Sequence, residues 1–277
     1  MLKCFPRRII MSFLDFLASQ FSKLQKATLV ESFQDDLDSS VTFEVVDRKT
    51  PFLPLFDVRR LEFQRGSSYS YSAIYLNKHI HLQPIYFAVQ RLTESFFPKL
   101  SSLESALVLG CAGCSIPRFL ALSSKDCKIT GVEYSKTMIK IAKKYFIDDP
   151  TYHNFLLLHD DAFSYVHKTT EQFQLIYVDL FLADNNCPQI ASMDFVNAIS
   201  SLMTGESIAI FNSLCLSKED CVKFASRYLS SFTAAYVFDH QFHYYVVFVK
   251  ASSASNLKAF EKRAMNFVRL DERFIAP

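Results

Sequence analysis

The apolar positions change their period along the chain, and each change marks an element. Phe13, Phe16, Leu17, Phe21 and Leu24 recur at helical spacing, with Lys23 and Lys26 on other faces, which predicts an amphipathic helix near the start. VTFEVVD (41–47) and RRLEFQR (59–65) read as strands, separated by the Pro-punctuated KTPFLPLF segment. Leu82, Ile85, Tyr86, Val89, Leu92 and Phe96 return to helical spacing, with Pro98 just past the end. From residue 105 strands and helices alternate. SALVLG, KITGVE, NFLLLH, FQLIYVDLF and ESIAIFN are strands, and the segments between and after them are helices, one opening at Ser135 as N-cap. AAYVFDH and HYYVVFVK are joined directly and are therefore antiparallel, and Leu257 to Phe274 predicts a last amphipathic helix. The expected architecture is a doubly wound α/β sheet with an antiparallel C-terminal hairpin and a small N-terminal β unit. The expected boundaries are a helical extension over 1–40, the β unit over 41–80, the main domain over 81–250 and a helical tail over 251–277.

Composition narrows this picture. The 277 residues include only 5 glycines, where average usage of about 7% would supply roughly 19. Collagen-like and Gly-linker readings are excluded, and each remaining glycine marks a place where the backbone needs freedom or close approach. Half the chain is apolar, with 28 Phe and 13 Tyr, so a large core can form. The net charge of +2 gives no mandate for nucleic acid. Both ends are basic, however: residues 1–30 hold five Lys/Arg against one Asp, and 251–277 five against three. The helix near the start therefore has two readings, packing on its own domain or a partner subunit, and weak contact with a membrane surface. Seven scattered cysteines without a leader point to a reducing, cytoplasmic setting.

In an open α/β sheet, ligands sit beyond the carboxyl ends of the strands, near the point where strand order reverses. After the first core strand comes Gly110-Cys111-Ala112-Gly113-Cys114-Ser115, followed by a helix whose N-terminus favours a polar or anionic group. Cys111 and Cys114 spell C-x-x-C, but without a second pair the expectation is small buried residues, with no metal. Glu133, twenty residues beyond Gly113, ends the second strand, where a carboxylate can accept both hydroxyls of a ribose. Asp160 and Asp161 end the third; one can accept from an adenine amino group, here assigned to Asp161, while the other caps the next helix. Asp179 closes the very apolar fourth strand. Desolvation there should raise its pKa and suit it to act as a general base.

These segments together resemble the spermidine synthase (polyamine aminopropyltransferase) family, a branch of the Rossmann-like class I S-adenosylmethionine-dependent methyltransferase fold. The likeness runs over roughly residues 41–250. It is carried by ALVLGCAGCSIPRFL, GVEYSKTMIKIAKKYF, HDDAFSYV and QFQLIYVDLF, in that order. It implies a cofactor site for S-adenosylmethionine or its decarboxylated form. Gly110, Cys111, Ala112 and Gly113 would form the loop, Glu133 and Tyr134 the ribose side, and Asp160, Asp161 and Ala162 the adenine side. It also implies a catalytic Asp179, a gate tyrosine at Tyr71, a small-molecule amine as substrate, no metal and a homodimer. Three departures stand out. The family's Asp-x-x-Asp pair reads Asp179-Leu180-Phe181-Leu182, so the carboxylate for an ammonium is absent at Leu182, and Asp184 lies two residues further on. Ala112 and Cys114 stand where glycines are usual. The resemblance thus implies an aminopropyl or methyl transferase, and the departures leave a catalytically silent binding or scaffold module as the alternative. A third reading, an NAD-dependent Rossmann enzyme, is opposed by Ala112, Ser115 and the terminal hairpin.

Overall fold

In a computed structural model of the protein, the structure describes residues 25–51, 54, 57–65, 67–76, 87–182, 185–213, 217–240, 243–264 and 269–276. The chain divides into two compact units, Met1–Ile85 and Tyr86–Pro277. The first is an antiparallel sheet of β1 (Lys26–Gln34), β2 (Thr42–Lys49), β3 (Val58–Arg65) and β4 (Ser67–Tyr75), in that order across the sheet. Alternation along β2 and β3 buries Phe43, Val45, Leu61 and Phe63 together, with the two phenyl rings 6.0 Å apart. Cross-strand ion pairs, Arg59 with Asp47 and Arg48 with Glu62, both at 2.7 Å, lace the same strands.

The expected helical extension over 1–40 needs correction. Residues 26–34 form β1, paired in register with β2 so that Phe33 lies opposite Phe43 and is buried. Thr28, Val30 and Phe33 favour a strand, and pairing with β2, with one irregularity between Leu29 and Glu31, satisfies backbone groups along its length. The amphipathic pattern from Phe13 to Leu24 lies outside the described residues.

In the second unit, α1 (Phe87–Phe96) leads into an eight-stranded sheet. The chain proceeds through β5 (Ser105–Leu109), α2 (Ser115–Ser123), β6 (Lys128–Glu133), α3 (Lys136–Tyr145), β7 (Phe155–His159), α4 (Ala162–Lys168) and β8 (Phe173–Val178). A short pair, β9 (Phe181–Leu182) and β10 (Asn185–Asn186), precedes α5 (Met193–Leu202), β11 (Met203–Ser213) and α6 (Lys218–Tyr228). The unit closes with β12 (Ala234–His240), β13 (His243–Lys250), α7 (Ala254–Ala264) and β14 (Arg269–Ile275). The strand order is β14-β12-β13-β11-β8-β5-β6-β7. β11, β8, β5, β6 and β7 run parallel, and β13 enters antiparallel between β11 and β12. The expected doubly wound sheet and antiparallel hairpin are both present.

Strands buried on both faces need helices on both faces. Along β5, Ala106 and Val108 face the layer of α1, α2, α3 and α7, while Leu107 and Leu109 face α4, α5 and α6. The tail differs from its reading as one helix over 257–274. The helix α7 ends at Ala264, and residues 269–275 extend the sheet against β12. Arg273 closes on Glu261 of α7 at 2.6 Å, which joins strand and helix. No helix among the described residues is long and apolar enough to cross a membrane.

Candidate functional site

Because β6 and β7 lie to one side of β5 and β8 and β11 to the other, the strand order reverses between β5 and β8. Their carboxyl ends therefore open a crevice. On its first side the chain leaves β5 through Gly110 at φ 82, then passes Ala112 at φ 43 and Cys114 at φ 59. All three occupy the left-handed region, which glycine reaches freely and other L-residues reach at a cost of roughly 1–2 kcal/mol each. The loop thus keeps a glycine-type backbone at two positions that lack glycine. Gly110 has a second reason to be glycine: a Cβ there would lie 2.2 Å from the backbone carbonyl oxygen of Asp179. Gly113 is buried.

Glu133, at the end of β6, reaches across to this loop. Its Oε2 accepts the backbone N–H groups of Cys111 at 3.0 Å and Ala112 at 2.9 Å, and its Oε1 accepts the N–H of Ser135 at 3.0 Å. Three of the four acceptor positions of the carboxylate are therefore used within the protein. Ser135 in turn caps α3, its hydroxyl accepting from Met138 N–H at 3.1 Å. Tyr134, between them, is 56% exposed, an aromatic surface beside the carboxylate.

The C-x-x-C pair is packing. Cys111 and Cys114 are free and buried, and the Cys111 thiol contacts the carbonyls of Val108 and Val132 at 3.6 and 3.7 Å. Burial, with Cys114, Glu133 and Asp179 nearby, pushes the Cys111 thiol well above its usual range, so the thiolate needed for metal or redox work is disfavoured.

At the end of β7 the division of labour is sharper than expected. Asp161 is the N-cap of α4, its Oδ2 accepting Ser164 N–H at 2.8 Å. Its Oδ1 has no partner among the described residues. Asp160 accepts the Asp161 N–H at 2.9 Å and lies 3.8 Å from the Lys168 ammonium. Capping thus falls to the residue expected to serve adenine, which retains one oxygen for a ligand. Ala162 is buried at the helix start.

On the other side of the crevice, the Asp179 backbone N–H donates to Leu109 O at 2.8 Å, extending the β5–β8 ladder by one step. Its side-chain Oδ1 accepts from Asn212 Nδ2 at 2.9 Å. Asp179 is partly open to solvent, yet its carboxyl is pushed up to about 7. Desolvation is the main cause and the Glu133 charge adds to it, while the Asn212 hydrogen bond opposes both. Tyr245, opposite Asn212 in the β11–β13 register, is buried, and desolvation with the Asp179 charge pushes its phenol up. Sequence reasoning missed Asn212 and Tyr245. Asn212 is the penultimate residue of its apolar strand, a place where an asparagine carries no signal of its own.

Tyr71 lies on β4 of the first unit, and its side chain is outside the described residues. Leu182 ends β9, which with β10 and the bond from Cys187 N–H to Leu180 O folds the segment after Asp179 back on itself. Asp184 lies outside the described residues.

No family model matches the sequence. A polyamine aminopropyltransferase of Vibrio vulnificus is 26% identical over 140 residues, which span 48% of this chain and 46% of that enzyme. The chain thus matches about half the length of this curated relative. Among solved structures, a probable spermidine synthase of Corynebacterium glutamicum superposes with a TM-score of 0.65 at 14% identity, covering 90% of this chain and 91% of that one. A spermidine synthase in complex with the transition-state analogue AdoDATO gives 0.52 at 14%, covering 90% and 80%. The class I methyltransferase fold, in the form seen in spermidine synthases, is therefore the fold of this protein.

Proposed function

We propose that this protein is a spermidine-synthase-like transferase that binds S-adenosylmethionine or its decarboxylated form and delivers an aminopropyl or methyl group to an amine. The observation that carries this reading is the meeting of the Gly110 loop with Asp179. A ligand held by the loop would lie beside a carboxyl whose pKa is near neutrality, a match for moving a proton at physiological pH.

The residues present fit such a cofactor. Glu133 retains one acceptor position for a ribose diol, Asp161 retains Oδ1 for an adenine amino group, and Tyr134, next to Glu133 in the chain, offers an exposed ring. When bound, the cofactor supplies a carbon beside a sulfonium, from which the thioether leaves as an amine bonds to it. Asp179 Oδ2, which has no partner among the described residues, takes the proton that the amine gives up. The strand ends hold the groups in place, so positioning contributes most of the acceleration. Tyr71 is assigned as a gate residue from the family pattern alone.

The test is product analysis with each cofactor and a panel of mono- and diamines. Methylthioadenosine marks aminopropyl transfer and S-adenosylhomocysteine marks methyl transfer. Turnover should be lost in Asp179→Asn while cofactor binding persists, and unchanged turnover in that variant contradicts the role of Asp179 as base. A second reading, a silent binding module, is favoured by the two non-glycine residues in left-handed conformations and by the apolar residue at 182. Cofactor binding without turnover of any amine would support it.

A further inference from the structure

Asp179 is held from three directions. Its backbone is fixed to Leu109, its carbonyl is pressed against Gly110, and its Oδ1 is bonded to Asn212. The first two fix where the residue stands, and only the third fixes how the carboxylate is turned. Asn212 is itself well anchored. It follows Phe211, which pairs with Val178 of β8, and it lies directly opposite Tyr245 of β13. It is buried, so little water competes with the carboxylate for its amide.

We propose that Asn212 is the positioning residue for Asp179. It grips Oδ1 so that Oδ2 is the oxygen turned to the acceptor. The proposal rests on the reading of Asp179 as base, but its physical content can be measured without turnover. A hydrogen bond donated to a carboxylate stabilises the ionised form. The groups around the Asp179 carboxyl act in opposite senses: the Glu133 carboxylate and the low-dielectric surroundings favour the neutral acid, and the Asn212 amide favours the ion. The buried Cys111 thiol and Tyr245 phenol are neutral neighbours within electrostatic range. Asn212 is thus the one described side chain whose hydrogen bond keeps a base available at neutral pH.

The experiment is a carboxyl carbon-13 NMR titration of the ligand-free full chain, with the Asp179 resonance assigned by its disappearance in Asp179→Asn. In the wild type the resonance should titrate near 7. In Asn212→Ala it should move up by about one to two pH units, the equivalent of one hydrogen bond to a charged group. Asn212→Asp keeps the shape and replaces the donor by a second acid, so it covers the case in which the alanine variant fails to fold. There the two carboxyls should share a proton and titrate as a pair, one of them well above the wild-type value. An unmoved Asp179 titration in either folded variant overturns the proposal. Failure of the base reading looks different: the titration moves as expected while Asp179→Asn retains turnover. With an active enzyme, the acid limb of the kcat profile should move up by the same amount in Asn212→Ala, a change that loss of packing alone would not produce.

Discussion

The crevice has one half built on β5 and β6 and another on β8 and β11, and the two depart from the family pattern in different ways. In the first half, glycines are gone from positions 112 and 114, yet the backbone still turns through the left-handed region at both. Glu133 holds that shape by accepting two loop amides. In the second half no described residue takes a left-handed conformation, and the loss is chemical. Asp179 remains, the carboxylate three residues on is replaced by Leu182, and an amide from β11 is the polar neighbour of Asp179. A backbone shape can survive substitution at a strain of roughly 1–2 kcal/mol per residue. A missing charge has no such substitute, since a buried ammonium without its counter-charge costs several kcal/mol. Under the proposed function, the first half is therefore expected to hold a cofactor, and the second to prefer an amine with no second ammonium to place at position 182.

The largest effect should come from forcing the halves apart. Gly110→Ala puts a methyl group against the Asp179 carbonyl at a residue with φ 82. It should cost about 4 kcal/mol, read as a lowered urea midpoint. A midpoint within error of the wild type would show that the loop and the β8 end are not in contact.

A smaller effect tests the second half alone. The Asp179 carboxyl stands at about 7 in the folded chain against an ordinary 3.8. Between those values the native state holds a proton that the unfolded chain has released, so stability falls as pH rises from about 4 to about 7. Asp179→Asn removes this dependence. The variant should be more stable than wild type at pH 8 by about 2 kcal/mol, an amount reduced from the full shift because the side chain keeps a solvent face. Near pH 4 the difference should vanish. Equal stability at both pH values would mean that the carboxyl titrates in its usual range. The smallest effect tests the first half: Ala112→Gly should relieve the left-handed residue and raise stability by about 1 kcal/mol. A loss of stability would argue that the loop is not strained at that position.

Much of this crevice was readable from local pattern. Glu133, Asp161 and Asp179 each end an apolar strand, and the fold places such ends side by side. Gly110 was readable as a glycine kept for a tight turn and close approach, although its contact with the Asp179 carbonyl depends on the pairing of β5 with β8. Asn212 escaped because its partner lies 33 residues away on another strand, and an asparagine at a strand end carries no signal of its own. Asp161 as N-cap was half readable, since adjacent aspartates before a helix compete equally for the cap. Residues 26–34 and 269–275 were misread for a shared reason. β1 and β14 are edge strands whose structure comes from pairing with β2 and β12, and a mixed apolar and charged segment seen alone fits a helix as well.

The most direct test of the central claim, that the loop and Glu133 form an adenosyl site, is isothermal titration of the purified chain. The ligands are S-adenosylmethionine, its decarboxylated form, methylthioadenosine and NAD. Saturable binding of an adenosyl-sulfur ligand but not of NAD is predicted, with binding abolished in a folded Glu133→Ala variant. No binding at millimolar ligand, or binding unchanged without the Glu133 carboxylate, would contradict it.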